Sequence, residues 1–257
     1  MRLLCIGDVV GKVGCEFLRS KLPALKKVKG IDAVICNGEN SADGNGITPV
    51  SADFLFDSGV DVITLGNHSF RRKEVYSYLD RTPYIIRPAN FPESTTPGKG
   101  VCTLDFGRYS VTVINLIGNM FMEPGLLSPF DKIGSILKDI DSKIVVVDFH
   151  AETTSEKLAM GYYLDSKVSA VFGTHTHVQT SDECVLEGGT GYITDLGMTG
   201  PKDSVFGVKP EVSIEKFKSR MPVRFDLKNG PCKMECVIFD IDDKTGKTIS
   251  AERLRIL

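Results

Sequence analysis

A chain of 257 residues that is 42% hydrophobic and 25% charged has an ordinary globular composition and the length to bury a large core. One α/β domain spanning residues 1–257 is the simplest organisation for that length. A formal net charge of −2 excludes a bulk drive toward nucleic acid or acidic membranes, so no specific DNA partner and no membrane partner are expected.

Leu3 to Ile6 reads as a strand buried on both faces, too short for the apolar core of a signal peptide. It runs into the glycine-bounded turn Gly7-Asp8-Val9-Val10-Gly11. A helix from Val13 to Lys27 is expected next, kinked at Pro23. Ala33 to Cys36 is the second strand and ends at Asn37-Gly38-Glu39-Asn40. A glycine-rich loop follows, and a helix over Pro49–Asp57 stops at Ser58-Gly59. Asp61 to Leu65 is the third strand, ending at Gly66-Asn67-His68, and Arg71 to Leu79 reads as a helix.

The strand–helix alternation then breaks. Tyr84 to Ile86 is a short extended piece, and Arg87-Pro88-Ala89-Asn90-Phe91-Pro92 excludes a helix. Val101–Phe106 and Ser110–Leu116 pattern as a hairpin. Phe121 to Phe130 is an irregular connection before a helix over Lys132–Ile140. Lys143 to Phe149 is a strongly apolar strand that ends at His150. Thr153 and Glu156 have capping-box spacing for a helix reaching Tyr163. Ser169 to Phe172 leads into Gly173-Thr174-His175-Thr176-His177. Strands follow at Glu183–Leu186, Tyr192–Thr194, Val223–Asp226, Met234–Ile241 and Thr248–Leu254. The pattern points to two sheets in one domain with helices outside. Seven cysteines without a Cys-x-x-Cys pair read as reduced thiols in a cytoplasmic protein.

Five of these apolar strands end in metal-seeking side chains: Asp8; Glu39 and Asn40; Asn67 and His68; His150; His175 and His177. All four histidines of the chain sit at such ends. His175 and His177 are two residues apart, so in an extended chain they face one way. Sites in open α/β sheets form beyond the carboxyl ends of the strands, so parallel strands bring these turns to one edge. Carboxylates, carboxamides and imidazoles suit Mn, Fe, Zn or Mg. The seven residues apart from His68 exceed what one open catalytic ion needs and suit two ions sharing a carboxylate, with Glu39 as bridge and Asp8 on one ion. Such a pair supports hydrolysis by metal-activated hydroxide. His68, beside Asn67, is either the general acid for the leaving oxygen, a further ligand or a structural loop residue.

The order and spacing of Gly7-Asp8, Gly38-Glu39-Asn40, Gly66-Asn67-His68, His150 and Gly173–His177 resemble the motifs of calcineurin-like metallophosphoesterases. Two departures stand out: no histidine follows Asp8 in an Asp-x-His pattern, and Glu39-Asn40 replaces the usual Asp. With Asn-Gly-Glu-Asn, Arg-Pro-Ala-Asn-Phe-Pro and Asp195-Leu196-Gly197-Met198-Thr199-Gly200-Pro201, these departures resemble the YmdB-like subfamily over nearly the whole chain. The resemblance implies a four-layer α/β/β/α sandwich, Fe or Mn, and phosphodiesterase activity on 2′,3′-cyclic nucleotides. It implies one ion on Asp8, Glu39, Asn40 and His177, and another on Glu39, Asn67, His150 and His175.

Arg87 is expected to order its proline-bounded loop rather than touch phosphate, and Met198–Pro201 is read as pocket wall or plain turn. Glu152 and Thr153 are placed beside His150 as supporting groups. The partner is a small phosphate ester or cyclic nucleotide, and a homo-oligomer is left open. Rival readings are a phosphomonoesterase on the same site, a slow nucleotide- and metal-binding regulator, and an amidohydrolase-type barrel. The barrel fits least, because the second half is rich in β rather than in regular strand–helix units.

Overall fold

Leu3 and Cys5 turn to one side of the first strand and Leu4 and Ile6 to the other, and both sides are packed. The computed structural model describes residues 1–122 and 124–257. Its first half runs β1 (Arg2–Ile6), β2 (Asp8–Val9), α1 (Gly11–Lys29), β3 (Ala33–Asn37), α2 (Pro49–Asp57), β4 (Val62–Thr64), α3 (Tyr76–Arg81), β5 (Ile85–Ile86), β6 (Val101–Asp105) and β7 (Ser110–Ile117). Then come α4 (Pro129–Ile136), β8 (Ile144–His150), α5 (Thr154–Leu164), β9 (Ala170–Thr174), β10 (Cys184–Val185), β11 (Gly191–Ile193), β12 (Met198–Pro201), α6 (Pro210–Ser219), β13 (Cys232–Ile241) and β14 (Thr248–Ile256).

The eight-stranded first sheet has the order β2-β12-β13-β1-β3-β4-β5, with β14 paired to β13. The six-stranded second sheet has the order β10-β11-β9-β8-β7-β6. Both are mixed. β1, β3, β4 and β5 are parallel in the first, and β7, β8, β9 and β11 in the second.

Alternation sorts the apolar side chains into layers. Leu3, Cys5, Ala33 and Ile35 of the first sheet meet Val111, Val113, Val146 and Phe172 of the second. The opposite face of the first sheet packs Leu4, Val34 and Ile63 against Leu18 and Leu22 of α1 and Leu55 of α2. The opposite face of the second packs Val145, Val147 and Val171 against Met160 and Leu164 of α5 and Ile133 of α4. The result is the expected α/β/β/α sandwich. At ~25 cal/mol per Å² of buried apolar surface, these three layers are the main stabilising contribution. Among the described residues no helix is long and apolar enough to cross a membrane, and all seven cysteines are free thiols.

Several sequence expectations are corrected. The turn expected at residues 7–11 contains β2, which pairs in parallel with β12. A Cβ on Gly7 would lie 2.2 Å from the Gly197 carbonyl oxygen, so only glycine permits that approach. Met198–Pro201 is a buried strand rather than a turn, and it is not among the residues lining the cavity at the expected ligands. The strand expected over Val223–Asp226 does not form; the Asp226 carbonyl accepts the Lys209 N–H, and an isolated bridge joins Val208 to Leu227 just beyond it. α6 has no counterpart in the sequence reading. Its polarity and poorly marked apolar stripe hid it.

The helix expected over 71–79 is a 3-10 turn at Lys73–Val75 followed by α3. The helix expected from Lys132 begins at Pro129 under a Ser128 cap. α1 continues through Pro23. Thr153 caps α5 through the Glu156 N–H, but the Glu156 carboxylate accepts from the Asn119 and Met120 N–H groups instead of closing a box. Glu123, within the irregular connection expected between Phe121 and Phe130, lies outside the described residues.

Candidate metal centre

β1, β3 and β4 of one sheet and β8 and β9 of the other all deliver their carboxyl ends to a common edge. There the structure brings together all seven expected ligands and His68. His150 is the hub. Its Nε2 lies 2.9 Å from Asn67 Oδ1, 3.1 Å from His175 Nδ1 and 3.2 Å from Glu39 Oε1. The ligand atoms of Glu39, His150 and His175 all lie within 4.8 Å of one another.

A second group adjoins it. Asp8 Oδ1 lies 3.4 Å from His177 Nε2 and from Asn40 Nδ2, and Asp8 Oδ2 accepts the His175 N–H at 3.1 Å. Glu39 Oε2 accepts the His68 N–H at 2.8 Å, and His68 Nδ1 sits 2.7 Å from Asn40 Oδ1.

Local structure aims these groups. His175 and His177 both adopt positive φ, 97° and 59°, uncommon and strained for non-glycine residues. Thr176, between them, donates its N–H and hydroxyl to Asp195 Oδ2 at 3.2 and 2.6 Å. The same oxygen accepts from Lys157 Nζ at 2.6 Å, and both partners are 1% exposed. This buried pair pins the centre of the His-x-His turn. Gly66 is forced by close approach, since a Cβ there would meet the His150 ring at 2.3 Å.

The imidazoles carry the hydrogen bonds that metal-ligating histidines use to fix a tautomer. The Thr174 hydroxyl donates to Asp148 Oδ1 at 2.7 Å and so accepts from His150 Nδ1 at 2.9 Å. His150 Nε2 is left facing the cluster. His175 Nε2 faces Glu152 Oε2 at 2.9 Å, leaving its Nδ1 for the cluster. Glu152 thus supports His175 rather than His150.

Charge balance points the same way. Burial pushes Asp8 and Glu39 up, but His177 beside Asp8 and His150 beside Glu39 outweigh it, and both carboxyls end below their ordinary values. Burial pushes His150 down, but Glu39, Asp8 and Asp148 carry it up to about 9. Burial and the neighbouring His150 charge bring His175 down to about 3. His177 rises despite burial because of Asp8, and His68 falls, chiefly by burial. Burial raises Asp148 to about 7.

One N–H on His150 cannot serve three surrounding acceptors, and His177 Nδ1 is buried with no hydrogen-bond partner. A surplus of lone pairs gathered around a shared proton is a donor set that fits cations.

A family profile described as YmdB-like protein matches residues 4–254. The chain belongs to the YmdB-like family. A Bacillus subtilis (strain 168) relative of this YmdB-like chain, named 2′,3′-cyclic-nucleotide 2′-phosphodiesterase, is 45% identical over 258 residues, covering 100% of this chain and 97% of the relative. A Mycoplasma pneumoniae crystal structure described as a novel phosphatase has a TM-score of 0.95 at 34% identity, covering 100% of this chain and 93% of that one. A Thermus thermophilus crystal structure described as a hypothetical protein has a TM-score of 0.94 at 38% identity, covering 100% of this chain and 99% of that one.

Sequence reasoning missed Asp148, Thr174 and Lys157, and gave Asp195 no role. Asp148 had a signal: it is a carboxylate within an otherwise apolar strand and stands two residues before His150, on the same side. Lys157 had none, because its burial depends on tertiary packing. Arg87 is 1% exposed and donates to the Pro88 carbonyl at 3.0 Å, in keeping with a loop-ordering role. Its Nε has no partner.

Proposed function

We propose that this chain is a single-domain, two-cation phosphodiesterase that opens 2′,3′-cyclic nucleotides. That it hydrolyses phosphate esters follows from its family and from the names of its relatives. The cation count, the mechanism and the substrate are our reading, and so is a cytoplasmic location. The observation that carries it is the acceptor surplus around His150 Nε2.

Glu39, Asn67, His150 and His175 form one ligand group, and Asp8 and His177 form the other, with Glu39 shared. Asn40 joins the second group through Oδ1 once its carboxamide turns over, since its Nδ2 now faces Asp8 and His177. The donor set suits Fe or Mn, with Zn or Mg as alternatives. When bound, a cation pair makes water nucleophilic near neutral pH and neutralises the phosphoryl oxygens. Thr174 and Glu152 engage the outer ring nitrogens of His150 and His175, so that the shared proton lies among the nitrogens facing the cluster and is displaced when a cation binds. His68, oriented by Asn40 through Nδ1, has Nε2 to hold the proton that the leaving 2′-oxygen takes up. A phosphomonoesterase on the same site is the second reading, favoured by the description of the Mycoplasma structure as a phosphatase.

The test is turnover of cyclic AMP (the 2′,3′ isomer) by purified, chelated and metal-reloaded protein, with elemental analysis of each sample. Activity should vanish on chelation and return with Mn or Fe. Full activity in metal-stripped protein would refute the reading.

A further inference from the structure

Glu39, Asn40, His175 and His177 of the ligand cluster are a minority of the residues lining a cavity of ≈ 1040 Å³. A phosphoryl group occupies a small part of that space. The stretch from Val205 to Leu227 supplies a largely apolar part of the lining, with Phe206, Phe217 and Phe225 on the same cavity as His68, His175 and His177. These rings are 52%, 77% and 52% exposed. They contribute little to the core, so packing does not explain them.

The wall is held in place. The Val205 and Val208 backbones bridge, Val208 bridges to Leu227, the Lys209 N–H donates to the Asp226 carbonyl at 2.9 Å, and the Lys228 N–H donates to the Gly207 carbonyl at 2.8 Å. Phe206 has φ +55°, a strained conformation that bulky residues rarely adopt. Its ring centroid lies 5.3 Å from that of His177 at an interplanar angle of 65°. A strained, half-exposed phenylalanine beside a liganding imidazole is positioned for something other than packing. Lys216 Nζ stands 4.4 Å from the Phe225 ring centroid, placing a cation on the same wall.

We infer that Phe206, Phe217 and Phe225 form the subsite that takes the nucleobase of a nucleotide substrate while its phosphate sits on the ligand cluster. The inference rests on the phosphodiesterase reading for its substrate class. A nucleotide carries a flat π-surface joined through ribose to an anionic end, and this cavity is lined by both aromatic rings and the ligand cluster. Stacking on aromatic rings accepts every base, so the subsite distinguishes nucleotides from other phosphate esters rather than one base from another.

The experiment compares kcat/KM for 2′,3′-cyclic AMP with that for ribose 2′,3′-cyclic phosphate, which lacks the base, in Mn-loaded enzyme. Wild type should prefer the nucleotide. Phe206→Ala and Phe225→Ala should each shrink that preference about tenfold, through KM, and Phe225→Tyr should restore it. Equal losses on both substrates, or an unchanged preference, would overturn the subsite while leaving the hydrolytic reading intact. So would loss of an oligomer in the variants with unchanged preference, which would assign the rings to a contact between copies. Calorimetric binding of adenosine 3′-monophosphate against ribose 3-phosphate makes the same comparison without turnover. If wild type cleaves neither ester, the substrate reading fails, and this binding difference alone decides the subsite.

Discussion

His68 is the residue whose role separates catalysis from mere metal holding. Binding phosphate needs no proton donor, whereas expelling a ribose alkoxide does. His68→Ala should therefore slow opening of a 2′,3′-cyclic nucleotide by about 10²–10⁴-fold. It should slow bis-p-nitrophenyl phosphate far less, because p-nitrophenolate leaves without a proton. Steady-state rates on both esters check this, and equal losses would reject the acid role. The proposed ligand residues were legible in the sequence because each ends an apolar run, a pattern visible without coordinates. The supporting residues were not. Asp195 and Lys157 meet across 38 positions of sequence, and no local pattern encodes such a contact. Asn40 shows a finer limit, since spacing named it but could not say that its Oδ1 would face His68.

At the scale of the element, the turn after β9 is the most demanding. Two histidines at positive φ persist only if their surroundings over-determine them, and the Asp195–Lys157 pair does this through Thr176. Asp195→Asn should weaken metal binding about 10–100-fold. It should also destabilise the fold by about 3–5 kcal/mol, because it leaves the Lys157 charge buried and unpaired. Lys157→Met with Asp195→Asn should recover much of the stability but not the affinity. Metal titration and thermal melts separate these effects. Gly66→Ala drives a Cβ into the His150 ring and should abolish metal uptake while the β-sheet circular dichroism signal persists. The parallel strands were readable because burial on both faces makes continuous apolar runs. β12 was not, because Met-Thr-Gly-Pro carries the signals of a turn and forms a strand only when β2 and β13 flank it. α6 escaped for the opposite reason: its Glu, Lys and Ser residues are interspersed with apolar side chains, of which Ile214 and Phe217 stay exposed.

Across the whole molecule, two sheets place their parallel carboxyl edges together, and the site exists only where they meet. Folding therefore gathers acceptors that repel one another unless a proton or a cation lies between them. The metal-free protein should report this through pH. His150 and Asp148 are raised on folding, from 6.5 to about 9 and from 3.8 to about 7. A raised group contributes stability that is complete below its unfolded value and is lost as pH rises through its folded value. Chelated protein should therefore melt lower at pH 9 than at pH 6.5, with about 2–4 °C for each kcal/mol lost. Added Mn should narrow the difference, because a cation replaces the shared proton. An unchanged melting temperature across that range would count against the proton-sharing account. Two sheets with helices outside were readable from the alternation in the first half and the β-rich second half, and the four-layer arrangement from the family resemblance. The cavity wall was not, since its rings are brought together by backbone pairings such as Val208–Leu227 and Lys209–Asp226.

The most direct measurement is metal stoichiometry. Isothermal titration of the chelated chain with Mn, supported by elemental analysis, should give two ions per chain. It should give one in His177→Ala, which removes a ligand from one group only, and fewer than two in Glu39→Gln. A single ion in the wild type, or two ions retained after both substitutions, would contradict a shared two-cation centre.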